Sequence, residues 1–227
     1  MPSASTPDLS ATAPPLCLAF LGFNPLGDGF DGRGLIDRGA DRTFTSLDTL
    51  GARRLIRRYF HRRTPTAAAP FDLRLCGYSF GGWSALQLAH ALGPRFRIRI
   101  GLIDPVCTFR WGGVSRLVPL RWVRDLHACK PANAVFAVNV FQTKGLIARF
   151  DHGRGMRMPY PANWFASQPI EGFDNIDRSA DVTHEGGHVE VAEKYAAQVA
   201  TITFQKHATT ATVQSPDFFF PTTGSGL

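Results

Sequence analysis

Apolar residues along this chain gather in short unbroken runs, set apart by polar stretches rich in glycine and proline. Leu16 to Gly22 is continuously apolar, as expected of a central strand buried on both faces of a parallel sheet. Phe71 to Cys76, Phe96 to Ile103 and Ala134 to Phe141 also read as strands, and a further short one is expected between Phe173 and Thr183. Other segments carry helical spacing. Leu50, Ile56 and Phe60 are predicted to face the core while Arg53, Arg54, Arg57 and Arg58 are solvated, with Ser46 as N-cap. A second helix runs from Gly81 to Leu92 and stops at Gly93-Pro94. A third, from Glu190 to Gln205, turns Val191, Tyr195, Val199 and Ile202 to one side. Strands alternating with helices predict an α/β fold, a mainly parallel sheet flanked by helices, over residues 16–207. Residues 1–15 and 208–227 read as tails and residues 30–46 as loop. The stretch 108–131, with Trp111 and Trp122 among basic residues, reads as a crossover helix or as a lid over an apolar site.

Composition narrows this only a little. A chain of 227 residues supports one good core, and 44% hydrophobic with 19% charged residues is ordinary for a soluble globular protein. The net charge of +7 comes mostly from arginine and permits peripheral contact with an anionic membrane. No aromatic stacking platform or groove-reading motif accompanies the arginines, so nucleic acid is not an expected partner. The four cysteines form no C-x-x-C pair, and Cys17, Cys76 and Cys107 lie in or beside apolar runs as buried thiols do. Residues 1–15 lack the basic residues of a secretory leader, and Leu16 to Phe23 is too short to span a membrane. The expected compartment is therefore reducing and cytoplasmic.

The chemistry concentrates at Gly77-Tyr-Ser79-Phe-Gly81, which follows a predicted strand and opens a predicted helix. A serine on so tight a turn needs small residues two positions before and after it, so that strand and helix can pass closely. Its hydroxyl is then lifted clear of the sheet, and the Phe80 N–H sits at a helix N-terminus, suited to an oxyanion. A serine there can also be no more than a helix cap. A nucleophilic serine needs a base, and the base needs an orienting acid. Behind an elbow of this kind the acid precedes the histidine in the chain. Asp104 ends the next strand on the same rim, whereas the strand after that ends in Gln142-Thr143 with no carboxylate until Asp151. His184 and His188 both lie where the base is expected; His188 is preferred because Gly186 and Gly187 free the chain to present it. The same residues spell H-E-x-x-H, a zinc-peptidase pattern. Zinc binding needs both histidines on one continuous helix, where the two glycines would cost about 2 kcal/mol, and no third ligand is evident. No metal or other cofactor is expected.

Taken together, Gly77-Tyr-Ser-Phe-Gly-Gly82, Leu102-Ile-Asp-Pro-Val106, Asn139-Val-Phe-Gln142 and the late His188 resemble the α/β-hydrolase superfamily, over residues 16–205. The closest likeness is to lipase-like members whose acid follows the strand after the elbow helix. The resemblance implies a compact α/β-hydrolase fold and a Ser79–His188–Asp104 triad. It also implies an oxyanion hole of backbone N–H groups at Phe80 and at Phe23 or Asn24, in the loop after the first strand. The implied activity is serine hydrolysis of a carboxylic ester or thioester, with an apolar acyl or lipid substrate and no cofactor. A non-catalytic binding module on the same fold is the alternative.

Overall fold

A computed structural model describes residues 14–22, 30–61, 70–105, 129–144, 167, 169–183 and 186–205. Among them, β1 (Leu16–Phe20), β2 (Arg42–Phe44), β3 (Phe71–Tyr78), β4 (Phe96–Ile103), β5 (Ala134–Phe141) and β6 (Asp174–Asp177) form one sheet. Every neighbouring pair is parallel, in the order β2-β1-β3-β4-β5-β6. Three helices flank it: α1 (Thr49–Phe60), α2 (Phe80–His90) and α3 (Gly187–Phe204). The α/β fold read from the apolar runs is the fold observed.

Side-chain alternation along the strands supplies two apolar faces. Leu16, Leu18, Phe20, Leu73, Leu75, Ile98, Ile100 and Leu102 point to the side covered by α1 and α2. Cys17, Ala19, Cys76, Tyr78, Ile103, Val138 and Val140 point to the other, covered by α3. Burial on both faces is why β1 is apolar at every position. Cys17 and Cys76 are buried in the core, and desolvation pushes the Cys76 thiol far up, so Cys76 is an inert core residue.

Two details depart from the sequence reading. The loop expected over residues 30–46 contains the short edge strand β2, whose residues are exposed or half-buried and so carry no apolar signal. The N-cap of α1 is Asp48, whose carboxylate accepts from the Gly51 N–H at 2.8 Å, and not Ser46. Ser46 is buried, with its carbonyl receiving the Ser84 hydroxyl of α2. The core stripe of α1 is Ala52, Ile56 and Phe60. Leu50, two residues before Ala52, lies on the opposite side of the helix and is 65% exposed, against the expectation that it faces the core.

From β1 the chain steps outward to β2, then returns across β1 to β3. That reversal opens a crevice beyond the C-terminal ends of β1 and β3, the general ligand position in open parallel sheets. Ser79 sits on its edge. α3 runs antiparallel to the strands, which its two ends make clear. Its last carbonyls are held by arginines that are neighbours across β3 and β4: Arg74 donates to Phe204 O at 3.1 Å and Arg99 to Ile202 O at 2.9 Å. Its first turn lies at the C-terminal rim of the sheet, beside the crevice.

Candidate active site

Three strand ends in succession build the rim. The Ser79 N–H donates to Ile103 O at 3.1 Å, and the Asp104 N–H donates to Val140 O at 2.7 Å. Each strand thus hands its last backbone bond to the next, bringing Ser79, Asp104 and Gln142 onto one ledge. Ser79 and Asp104 are also the two non-glycine residues with positive φ among the described residues, at 55° and 42°. Strain of this kind is tolerated where the surrounding structure imposes it, and it concentrates at functional sites.

At Ser79 the strain has a visible cause. With φ 55° and ψ −128° the chain turns straight from β3 into α2, and its hydroxyl makes no capping bond to the helix it opens. A plain helix-capping role is therefore not what this serine performs. The turn is so tight that a Cβ at Gly77 would lie 2.5 Å from Gly81 O, and one at Gly81 would lie 2.1 Å from Phe20 O. Phe80 is the first residue of α2, so its amide is among those at the helix N-terminus. The end of β1 lies against the same turn, since a Cβ at Gly22 would come within 3.4 Å of Ser79 Cβ. Phe23 and Asn24, the expected second oxyanion donors, follow directly but lie outside the described residues.

Asp104 is fully buried and accepts three hydrogen bonds. Oδ1 receives the Gln142 N–H at 3.2 Å; Oδ2 receives Gln142 Nε2 at 2.8 Å and His188 Nδ1 at 2.6 Å. With Nδ1–H committed to the carboxylate, a neutral imidazole carries its lone pair on Nε2. His188 is buried too, and Tyr78, the residue before Ser79, fixes it from a second direction. The rings stack with centroids 4.9 Å apart at 25°, and the Tyr78 hydroxyl donates to His188 O at 3.1 Å. Burial first, and the Asp104 charge second, push the Tyr78 phenol well above its ordinary value, so it stays a neutral donor.

Asp104 and His188 are thus joined by a 2.6 Å hydrogen bond, and Ser79 lies on the same rim, next in the chain to the Tyr78 whose ring stacks on His188. His188 sits inside α3, as its second residue, and not in a loop before the helix. His184 and Glu185 lie outside the described residues, as do residues 108–128 of the candidate lid. Gly186, at φ −119° and ψ 0°, caps α3, so the helix that carries His188 starts after His184. This is not the continuous helical turn that an H-E-x-x-H zinc site requires. Among the described residues no group of His, Cys, Asp and Glu is arranged to hold a metal.

Comparison with protein-family models, curated proteins and solved structures finds no match for this chain. The geometry adds two residues that pattern reading did not single out, Gln142 and Tyr78. The only signal for either was position: Gln142 ends the strand beside Asp104, and Tyr78 is the variable residue inside the G-x-S-x-G turn.

The approach to His188 is tied by Glu190. Its carboxylate accepts the Thr183 N–H at 2.8 Å and the Thr183 hydroxyl at 2.6 Å, and that hydroxyl oxygen accepts the Gly186 N–H at 3.0 Å. The Thr183 side-chain bond is the main reason the Glu190 carboxyl lies below its ordinary value. A lowered carboxyl contributes stability that is complete above its unfolded value, near ~4.3, and is lost as pH falls through the folded value. At this solvent-screened position Glu190→Gln should therefore cost only about 0.5 kcal/mol at pH 7. The deficit should vanish in acid, where both proteins present a neutral side chain. Urea midpoints measured at neutral pH and below the carboxylate range check this; an equal deficit at both would show that the charge is irrelevant.

Proposed function

We propose that this chain is a serine hydrolase of α/β-hydrolase type that cleaves carboxylic esters or thioesters. The observation that carries the reading is the buried 2.6 Å bond between His188 Nδ1 and Asp104 Oδ2, made beside a serine held at φ 55°. An orienting carboxylate, an imidazole with Nε2 as acceptor and a strained serine are the parts of acyl transfer through a covalent intermediate.

In the proposed reaction Ser79 Oγ attacks the acyl carbonyl while His188 Nε2 takes the hydroxyl proton. Asp104 keeps Nδ1 protonated and stabilises the imidazolium that forms. Charge developing on the carbonyl oxygen is met by the Phe80 N–H and by an amide from Phe23 or Asn24. Collapse expels the alcohol or thiol, which receives the proton from His188 and leaves an acyl-serine. Water, deprotonated by the same Nε2, then hydrolyses the acyl-serine and restores the enzyme. None of these steps calls on a metal or an organic cofactor. An apolar acyl or lipid chain is the preferred substrate class, on the strength of Trp111 and Trp122 in the 108–131 stretch.

Hydrolysis of p-nitrophenyl esters from acetate to palmitate tests the reading. Ser79→Ala should lower turnover by at least about 10³-fold with thermal stability unchanged. Turnover that survives Ser79→Ala, or that disappears with a chelator, contradicts it. A folded protein inert toward every ester and thioester favours a binding module instead.

A further inference from the structure

We propose that the outward side of α1 is a docking surface for an anionic phospholipid bilayer, a role that does not depend on the catalytic reading. The helix buries Ala52, Ile56 and Phe60 and presents Arg53, Arg54, Arg57 and Arg58 to solvent, followed by exposed His61. It holds no acidic residue, and Asp48 at its start is engaged as the N-cap. None of the four arginines is in an ion pair with a described residue. A protein surface that keeps so dense a set of like charges without carboxylates is complementary to a polyanion.

Two further features indicate which polyanion. Leu47 and Leu50 are 76% and 65% exposed, and with Val135 they are the exposed large hydrophobic residues among those described. Both sit at the N-terminal end of α1, with Leu50 one helical turn before Arg53 and Arg54. An interfacial helix has this composition: arginines level with the phosphates and leucines reaching toward the acyl chains. A nucleic acid would use the arginines but leave both leucines in water. At the other end of the helix an open cleft of about 470 Å³ is lined by Arg53, Arg57 and His61, with Phe60 and Phe96 also in its wall. The carbonyls of Leu92 and Gly93, which would repel an anion there, both accept from Asn133 Nδ2. A headgroup phosphate fits this chemistry. The leucines also lie on the side of the elbow, because Ser46 O accepts the Ser84 hydroxyl from the first turns of α2. A bilayer held along α1 would thus adjoin the rim that carries Ser79.

Co-sedimentation of the full chain with vesicles tests the proposal. The protein should bind vesicles of phosphatidylcholine mixed with phosphatidylserine, bind pure phosphatidylcholine far less, and release as salt rises. Each arginine near an anionic surface is worth roughly a fivefold change in partitioning. Replacing Arg53, Arg54, Arg57 and Arg58 together by Gln should therefore weaken binding by about 100-fold or more. Leu47→Ser with Leu50→Ser should weaken it by about tenfold at constant charge. All six positions are solvent-exposed, and an unchanged melting curve verifies that each variant is folded. Three results overturn the proposal. One is no preference for the anionic vesicles; another is full binding by the arginine variant, which would move the contact elsewhere on the chain. The third is a leucine variant that binds vesicles as wild type does while the wild type binds a DNA duplex equally well, which would mark α1 as a nucleic-acid surface.

Discussion

Asp104→Asn is expected to reduce turnover by about 10³- to 10⁴-fold while changing KM by only a few fold. The hydrogen bonds explain why no orientation of the amide can rescue it. The carboxylate accepts at both oxygens: Oδ2 from Gln142 Nε2 and His188 Nδ1, Oδ1 from the Gln142 N–H. If the new NH₂ group takes the place of Oδ2, it faces Nδ1 as a donor and forces the imidazole into the tautomer with Nε2–H. That nitrogen can no longer accept a proton from Ser79. If the group takes the place of Oδ1, it meets the fixed Gln142 amide, donor against donor, at a fully buried position. The tautomer is then retained, but the negative charge that stabilises the imidazolium is gone. Steady-state kinetics on wild type and variant decide the matter. Activity within tenfold of wild type would reduce Asp104 to a strand-ending turn residue.

Gly81→Ala is expected to be the most destabilising single methyl on the described chain. Its Cβ would lie 2.1 Å from Phe20 O and 2.4 Å from Leu21 O, both backbone atoms of the strand end beside the elbow. Neither can swing away as a side chain would. β1 must move, and its movement disturbs Gly22, which borders Ser79. Overpacking against backbone at such a crossing costs about 3 kcal/mol or more. For a chain of this size that is a fall in Tm of roughly 10 °C. Gly93→Ala provides the control, because nothing lies within 4 Å of a Cβ there, and the change should be neutral or slightly stabilising. Differential scanning calorimetry of the two variants separates local crowding from any general cost of replacing glycine. Equal melting temperatures would mean that the elbow is looser than described.

How far the fold could be read in advance depended on burial. β1, buried at every position, lies within its unbroken apolar run, and β4 and β5 begin and end where their runs do although Arg97, Arg99 and Asn139 interrupt them, because the apolar positions around those residues are β-branched, aromatic or buried. β2 escaped notice for the opposite reason: a three-residue edge strand, Arg42–Phe44, without a buried position, looks like loop. Helix boundaries were less legible than helix existence. Ser46 has the chemistry of a cap, but its carbonyl is claimed by Ser84, and Asp48 does the capping. α3 begins at Gly187, earlier than propensity suggests, because Glu190 reaches back to Thr183 and secures the first turn.

The site was legible where steric necessity dictates sequence. The glycines around Ser79 are demanded by the turn itself, and Asp104 stood out because the neighbouring strand ends in Gln142 without a carboxylate. That same Gln142 holds Asp104 in place, a role that depends on the β4–β5 register and hence on tertiary structure. Tyr78 was hidden likewise. Only the packing of α3 across the sheet reveals that its ring lies on His188.

The most direct test of the central claim, that Ser79 is an activated nucleophile, is reaction with a fluorophosphonate followed by peptide mass mapping. One adduct should form, on Ser79, rapidly in wild type and about 10³-fold or more slowly, or not at all, in His188→Ala. An adduct at another residue, labelling indifferent to His188, or a well-folded wild-type protein that does not react would contradict that claim.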